Sequence, residues 1–339
     1  METIPGVFHK FAEQIDRELR EIVETRPLPL YRMMSYHMGW IDEHGNPYPG
    51  GGGGGVRSTL CLLACEAAGG EPSKALPAAA AIDLAYNFSL IHDDIQGGKP
   101  QRGNRPALWW VWGPAQAINA GDGMHALARL SLFRLRDKGF ADDVVFKSIQ
   151  ILDDACLKLC EGQYLDITYQ ERIDVSVSSY LAMIESKTGA LMEGAIKLGA
   201  LLGSEEEALV EALGLFGRKL GMVFQVRGDI ADLWNDASPT KTVSNDILNK
   251  KKTLPVLYAI EVGVIRDKRE LGEIYFKRVL EPQDIAKVVA VLDRLGAREY
   301  CQKMLAKLYH EAMELLDASG LSRQATASLR SAAEHIVKV

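Results

Sequence analysis

A chain of 339 residues is long enough for one large domain or two small ones. Hydrophobic residues make up 47% and charged residues 25%, a globular balance that excludes disordered, collagen-like and low-complexity chains. The formal net charge of −6 gives nucleic acid no electrostatic footing, so no nucleic-acid partner is expected, though a local basic patch could still hold a compact anion.

Apolar residues at three- and four-residue spacing predict helices over 7–25, 58–69, 74–94, 115–135, 144–167 and 176–203. The same spacing continues over 206–234, 253–263 and 282–319, with a last helix near 321–337. Alternating strand patterns are almost absent. No linker or composition break interrupts 58–319, so the expectation is one all-α domain over residues 1–339. Cys61/Cys65 and Cys156/Cys160 are each four apart within apolar helical runs. They read as small core residues, not as metal ligands or a disulfide framework. The first residues lack the basic start and apolar core of a signal peptide. No run reaches the roughly 18 uninterrupted apolar residues of a membrane span. A cytoplasmic, reduced setting without a transmembrane segment is expected.

Three loops carry glycine or charge beside long helices. Gly50 to Gly55 form a six-glycine run before a helix. Residues 97–106 follow the acidic helix end His92-Asp93-Asp94, and residues 235–252 follow a second one carrying Asp229 and Asp232. Carboxylates three apart point to one side of a helix. Two such clusters brought together would repel unless a divalent cation joined them, and all-oxygen ligation suits Mg²⁺. The alternative is a pair of solvated acidic helix ends. Against it stand Arg57, Arg102, Lys187 and Lys241, placed in or beside loops and helices that could converge on the same cavity. Carboxylates, Mg²⁺ and Arg/Lys together hold a diphosphate and stabilise it as a leaving group.

Residues 87–96, Asn-Phe-Ser-Leu-Ile-His-Asp-Asp-Ile-Gln, resemble the first aspartate-rich region of trans-prenyl diphosphate synthases of the farnesyl and geranylgeranyl type. Gly162-Gln163 with Asp166, Lys187-Thr188-Gly189, Phe224-Gln225 with Asp229 and Asp232, and Lys251 to Pro255 match later landmarks in order. The resemblance covers about residues 50 to 260. It implies the all-α isoprenoid synthase class I fold, a helical bundle with a central cavity, usually a homodimer. It further implies Mg²⁺ at Asp93, Asp94, Asp229 and Asp232, which with Arg102 and Lys187 form the catalytic set. An allylic prenyl diphosphate of C10–C20 size would be bound by Arg57, Tyr86, Phe88, Arg102, Thr188, Gln225 and Lys241.

The departures from that family are informative. Its first motif, DDxxD, is here Asp93-Asp94-Ile95-Gln96-Gly97, and its second is Gly228-Asp229-Ile230-Ala231-Asp232. The Gly-Lys-Arg segment that would serve isopentenyl diphosphate aligns with Gly53-Gly54-Gly55, leaving Arg57. Tyr86 stands where the family has a polar His or Gln, and the paired Arg-Arg is Arg102-Gly103. Three lost charge-assisted contacts at about 1.5–3 kcal/mol each would weaken that second site by three to six powers of ten. The sequence expectation is therefore a class I terpene synthase, a lyase that ionises the allylic diphosphate and quenches the cation internally. A prenyltransferase, or a non-catalytic partner of one, is the alternative. Aromatic faces at Phe88 and Tyr86 could stabilise a carbocation, or Phe88 could be a core residue. Trp109, Trp110 and Trp112 read as packing or interface residues.

Overall fold

Long helices need small residues where they meet, and this chain supplies them in runs. The computed structural model describes residues 6–48, 55–172, 174–234 and 245–338. Helices α1 (Gly6–His9), α2 (Ala12–Val23) and α3 (Pro29–His37) lead to α4 (Val56–Ala67) and α5 (Leu76–Gln96). A two-stranded antiparallel hairpin, β1 (Gln101–Arg102) and β2 (Arg105–Pro106), pairs Gln101 with Pro106 and Arg102 with Arg105. Next come α6 (Leu108–Trp112), α7 (Pro114–Phe133), α8 (Asp142–Glu171), α9 (Val177–Ile184) and α10 (Ala190–Gly203). The last seven are α11 (Glu207–Trp234), α12 (Asn245–Leu248), α13 (Leu254–Val262), α14 (Ile265–Tyr275), α15 (Pro282–Arg294), α16 (Ala297–Asp317) and α17 (Ala327–Val337).

Contacts divide the chain into two units, residues 1–156, 194–214 and 318–332 in one and 157–193, 215–317 and 333–339 in the other. In the first, α5 packs on α4 and α7. Ala78 to Ala81 are fully buried, and Pro77 sits in the first turn of α5, where its missing N–H costs no helical hydrogen bond. A Cβ on Gly121 of α7 would lie 2.3 Å from Nε2 of His92, so the glycine gives that imidazole its place. A Cβ on Gly199 of α10 would lie 1.9 Å from the Cys61 carbonyl oxygen. Cys61, Cys65 and Cys156 are buried, as the helical spacing predicts, whereas Cys160 is exposed. In the second unit α13 packs on α9 and α16. Tyr258 stacks on Tyr300 with centroids 4.0 Å apart, and the Trp234 indole donates to Asp293 at 2.8 Å.

Several boundaries differ from the periodic reading. The helix expected over 282–319 breaks after Arg294, because Gly296 takes a left-handed φ of 71° and ends α15. The run expected over 176–203 contains a π-helical turn at Glu185–Gly189. Helices α3 and α14 were not legible in the apolar pattern: α3 is short, and α14 is densely charged, burying only Leu271 and Ile274 among its apolar residues. Among the described residues no helix is long and apolar enough to cross a membrane.

Candidate active site

The first acidic end closes α5. Gly97 caps the helix, its N–H donating to the Asp93 carbonyl at 2.9 Å, and Gly98 follows with φ 57°. The chain then turns back as the β1–β2 hairpin, whose bend uses Gly103 at φ 58°. That geometry returns two cations to the helix end. Arg102 donates to both oxygens of Asp94 at 2.7 Å through Nε and Nη2, a bidentate pair with the Asp94 side chain only 3% exposed. Lys99 Nζ donates to Asp93 Oδ2 at 2.5 Å. Burial pushes the Asp94 carboxyl up while Arg102 pulls it down.

The second acidic end lies in α11. Asp229 is buried and accepts three hydrogen bonds: from the Tyr180 hydroxyl at 2.6 Å, the Leu254 N–H at 3.1 Å and Gln225 Nε2 at 3.0 Å. Thr188 in turn donates to Gln225 Oε1 at 2.9 Å. Thr188, Gln225, Asp229 and Tyr180 thus form one connected chain of side chains. Asp232 is exposed. Beside this chain Lys187 donates to Asp166 Oδ2 at 2.6 Å, and Lys251 lies 3.9 Å from the same oxygen and 3.2 Å from Asp246. Gly162 permits that pairing: a Cβ there would lie 2.3 Å from the Lys187 backbone nitrogen. Lys187 and Thr188 both ride on the π turn, which changes the direction of side chains relative to a regular helix.

The carboxylates of the expected Mg²⁺ ligand set differ in how they are engaged. A hard divalent cation needs accessible oxygens. Asp94 gives both of its oxygens to Arg102, and Asp229 gives both of its oxygens to protein donors. Asp93 Oδ2 accepts from Lys99, and the Asp232 side chain is exposed. Among the described residues no group of three or more His, Cys, Asp or Glu side chains is arranged to hold a metal ion. Water and a bound diphosphate would have to complete the octahedron.

Burial raises Asp229 to about 6, against the pull of its donors. The unfolded chain releases this proton near pH 4, so between about pH 4 and 6 the folded protein holds a proton that the unfolded chain has lost. Unfolding free energy therefore falls as pH rises through that window. Asp229→Asn should remove a fall on the order of 2–3 kcal/mol, read as a flatter stability curve in urea titrations at pH 4, 5 and 6. An unchanged slope would mean that Asp229 is not the group responsible.

The remaining expected residues fall as follows. The Arg57 guanidinium lies 3.8 Å from the centroid of the Tyr86 ring, so these two form one cation–π unit. Phe88 is buried and packs on His92 and His125, with centroids 5.8 and 4.8 Å away, which is the core role. Trp109 donates to the Lys99 carbonyl at 2.7 Å, Trp112 packs edge-on against Tyr36 at 4.9 Å, and Trp110 is exposed. Lys241, Gly53 and Gly54 lie outside the described residues. Lys99, Asp166, Tyr180 and Lys251 were not among the expected site residues. Two of them had a signal, Asp166 in the Gly162-Gln163 landmark and Lys251 in the landmark that runs to Pro255.

The polyprenyl synthetase family profile matches residues 39–292. The chain is 30% identical over 340 residues to the (2E,6E)-farnesyl diphosphate synthase of Mycobacterium tuberculosis, covering 99% of this chain and 90% of that protein. It is 34% identical over 287 residues to the geranylgeranyl diphosphate synthase of the same organism, covering 84% and 81% respectively. The crystal structure of a polyprenyl synthetase from Streptomyces coelicolor superposes with a TM-score of 0.88 at 34% identity, covering 98% of this chain and 100% of that one. The fold is therefore the all-α isoprenoid synthase fold, and the match takes in both aspartate-bearing helix ends, the Lys187 turn and the Lys251 landmark. This chain belongs to the polyprenyl synthetase family.

Proposed function

We propose that this protein is an Mg²⁺-dependent prenyltransferase that ionises an allylic prenyl diphosphate of C10–C20 size and passes the prenyl group to an acceptor. The carrying observation is similarity along 99% of the chain to a farnesyl diphosphate synthase, which supports transfer over the lyase reading favoured by the motif departures. Mg²⁺, when held by aspartates of the expected set such as Asp232, would supply Lewis-acid stabilisation of the leaving diphosphate. Arg102, fixed by Asp94, and Lys187, fixed by Asp166, would donate to the diphosphate oxygens as negative charge develops on them. Thr188 and Gln225 would orient that group through their link to Asp229, and the Arg57–Tyr86 unit would face the acceptor or the prenyl chain. One domain over residues 1–339, a cytoplasmic location and a homodimer belong to the same proposal. Ile118, Leu130, Phe133 and Phe146 are exposed apolar residues that a second copy could cover.

A second reading, the lyase, is favoured by one specific observation. Gly103, where the family has its second Arg, occupies a left-handed turn position at φ 58°, which favours glycine over that cation. Incubation with C10, C15 and C20 allylic diphosphates and Mg²⁺, with and without isopentenyl diphosphate, separates the two. Longer linear products that form only when isopentenyl diphosphate is present are expected. Diphosphate release with cyclic, dehydrated or hydroxylated products in its absence would replace transfer by the lyase reading, and no turnover with any substrate would point to a non-catalytic partner.

A further inference from the structure

Where the family's first motif ends in a carboxylate, this chain has Gly97, and the space that residue would fill is taken by a cation. A Cβ on Gly97 would lie 3.1 Å from Lys99 Cε and 3.4 Å from its Cγ, so the lysine side chain runs across the bare glycine. Its ammonium ends 2.5 Å from Asp93 Oδ2, with the lysine side chain 22% and the aspartate 18% exposed. The backbone carrying it is anchored at several points. The Lys99 N–H donates to the Asp94 carbonyl at 2.9 Å, the Trp109 indole donates to the Lys99 carbonyl at 2.7 Å, and the Ala107 N–H donates to the Pro100 carbonyl at 2.9 Å. A lysine on a frayed loop would exchange freely with water and ions. This one is held at the carboxylate by its own main chain.

We infer that Lys99 is a built-in counter-ion at the first acidic helix end, standing where a divalent cation would otherwise neutralise Asp93, so that diphosphate binds with one metal ion fewer than a complete acidic motif would recruit. An ammonium has the charge and donors to bridge a carboxylate and a phosphate oxygen, and it needs no free metal to do so. Gly97 and Lys99 are then one paired change: the glycine clears the space and removes a negative charge, and the lysine brings a positive one. Lys99 therefore acts on the diphosphate directly as well as through Asp93.

This inference rests on the proposed diphosphate site, and inorganic diphosphate is the probe that tests both. Mn²⁺ bound per protein is counted by electron paramagnetic resonance at saturating inorganic diphosphate for the wild type, Lys99→Met and Lys99→Arg. Lys99→Met is expected to take up one more Mn²⁺ than the wild type, and Lys99→Arg, which keeps the cation, to match it. Should Lys99→Met fail to fold by circular dichroism, Lys99→Gln, which also removes the charge, replaces it, and the additional Mn²⁺ is expected there too. Equal counts in the wild type and the folded variant overturn the counter-ion role while leaving the diphosphate site standing. If the wild type binds no diphosphate at any Mn²⁺ concentration, the site reading fails and the inference goes with it.

Discussion

Lys187→Ala is expected to lower turnover by roughly two to three orders of magnitude, the effect of removing one donor from charge that develops in the transition state. The ammonium is fixed rather than free: it donates to Asp166 at 2.6 Å from a π turn that carries Thr188 next to it. A donor whose direction is set before substrate arrives loses little further freedom at the moment of reaction, so its loss is read mainly in kcat. Lys251, 3.9 Å from the same Asp166 oxygen, is too far to replace the hydrogen bond, although it limits the cost of leaving Asp166 without Lys187. The variant should therefore remain folded, with a small change in Tm. Arg102→Ala should lose activity to a similar extent and stability as well. It strips the bidentate partner from a carboxylate that is 3% exposed, and an uncompensated buried charge costs about 3–5 kcal/mol. Steady-state kinetics with thermal unfolding on both variants checks this; wild-type turnover in Lys187→Ala would move the active site elsewhere.

The second large effect is expected from Gly162→Ala. In an exposed helix interior the change would stabilise by about 1 kcal/mol through helix propensity. Here the added Cβ would meet the Lys187 backbone nitrogen at 2.3 Å and its Cα at 2.6 Å. No rotamer change relieves a contact with backbone, and overpacking of this kind costs about 1–3 kcal/mol or more. The clash therefore outweighs the propensity gain. Relief requires the π turn to move, and Lys187 and Thr188 move with it, so Tm and kcat should fall together. Gly199→Ala is the control for the site. Its Cβ would lie 1.9 Å from the Cys61 carbonyl oxygen, which should lower Tm without displacing Lys187. A Gly162→Ala protein with wild-type Tm and activity would show that the two segments do not approach as closely as described.

Much of the molecule was legible in residue order. The periodic apolar runs marked most of the long helices, because a helix burying one face must repeat its apolar residues every three or four positions. Of the residues the motifs singled out, Asp93 lies in the last turn of α5, Asp232 in the last turn of α11, Lys187 on the π turn and Gln225 inside α11. What they did not show is how each carboxylate is spent. Asp94 and Asp229 look like metal ligands beside their neighbours in sequence, yet one is taken by Arg102 and the other by Tyr180, Gln225 and Leu254. Tyr180 lies 49 positions from Asp229, and Asp166 lies 21 from Lys187. Nothing local in the sequence announces such pairs.

The sequence by itself determined the all-α class and the family, since these follow from periodicity and from motifs at fixed spacing. The tertiary structure decided which side chains are committed to one another. The physical reason is that hydrogen bonds and ion pairs depend on distances of a few tenths of an ångström, set by turns such as Gly97-Gly98 and Gly103 and by the π turn at Glu185–Gly189. Lys99 is the clearest case: six positions after Asp93 in a polar loop it reads as a solvated charge, and only the fold of the hairpin brings its ammonium to that carboxylate.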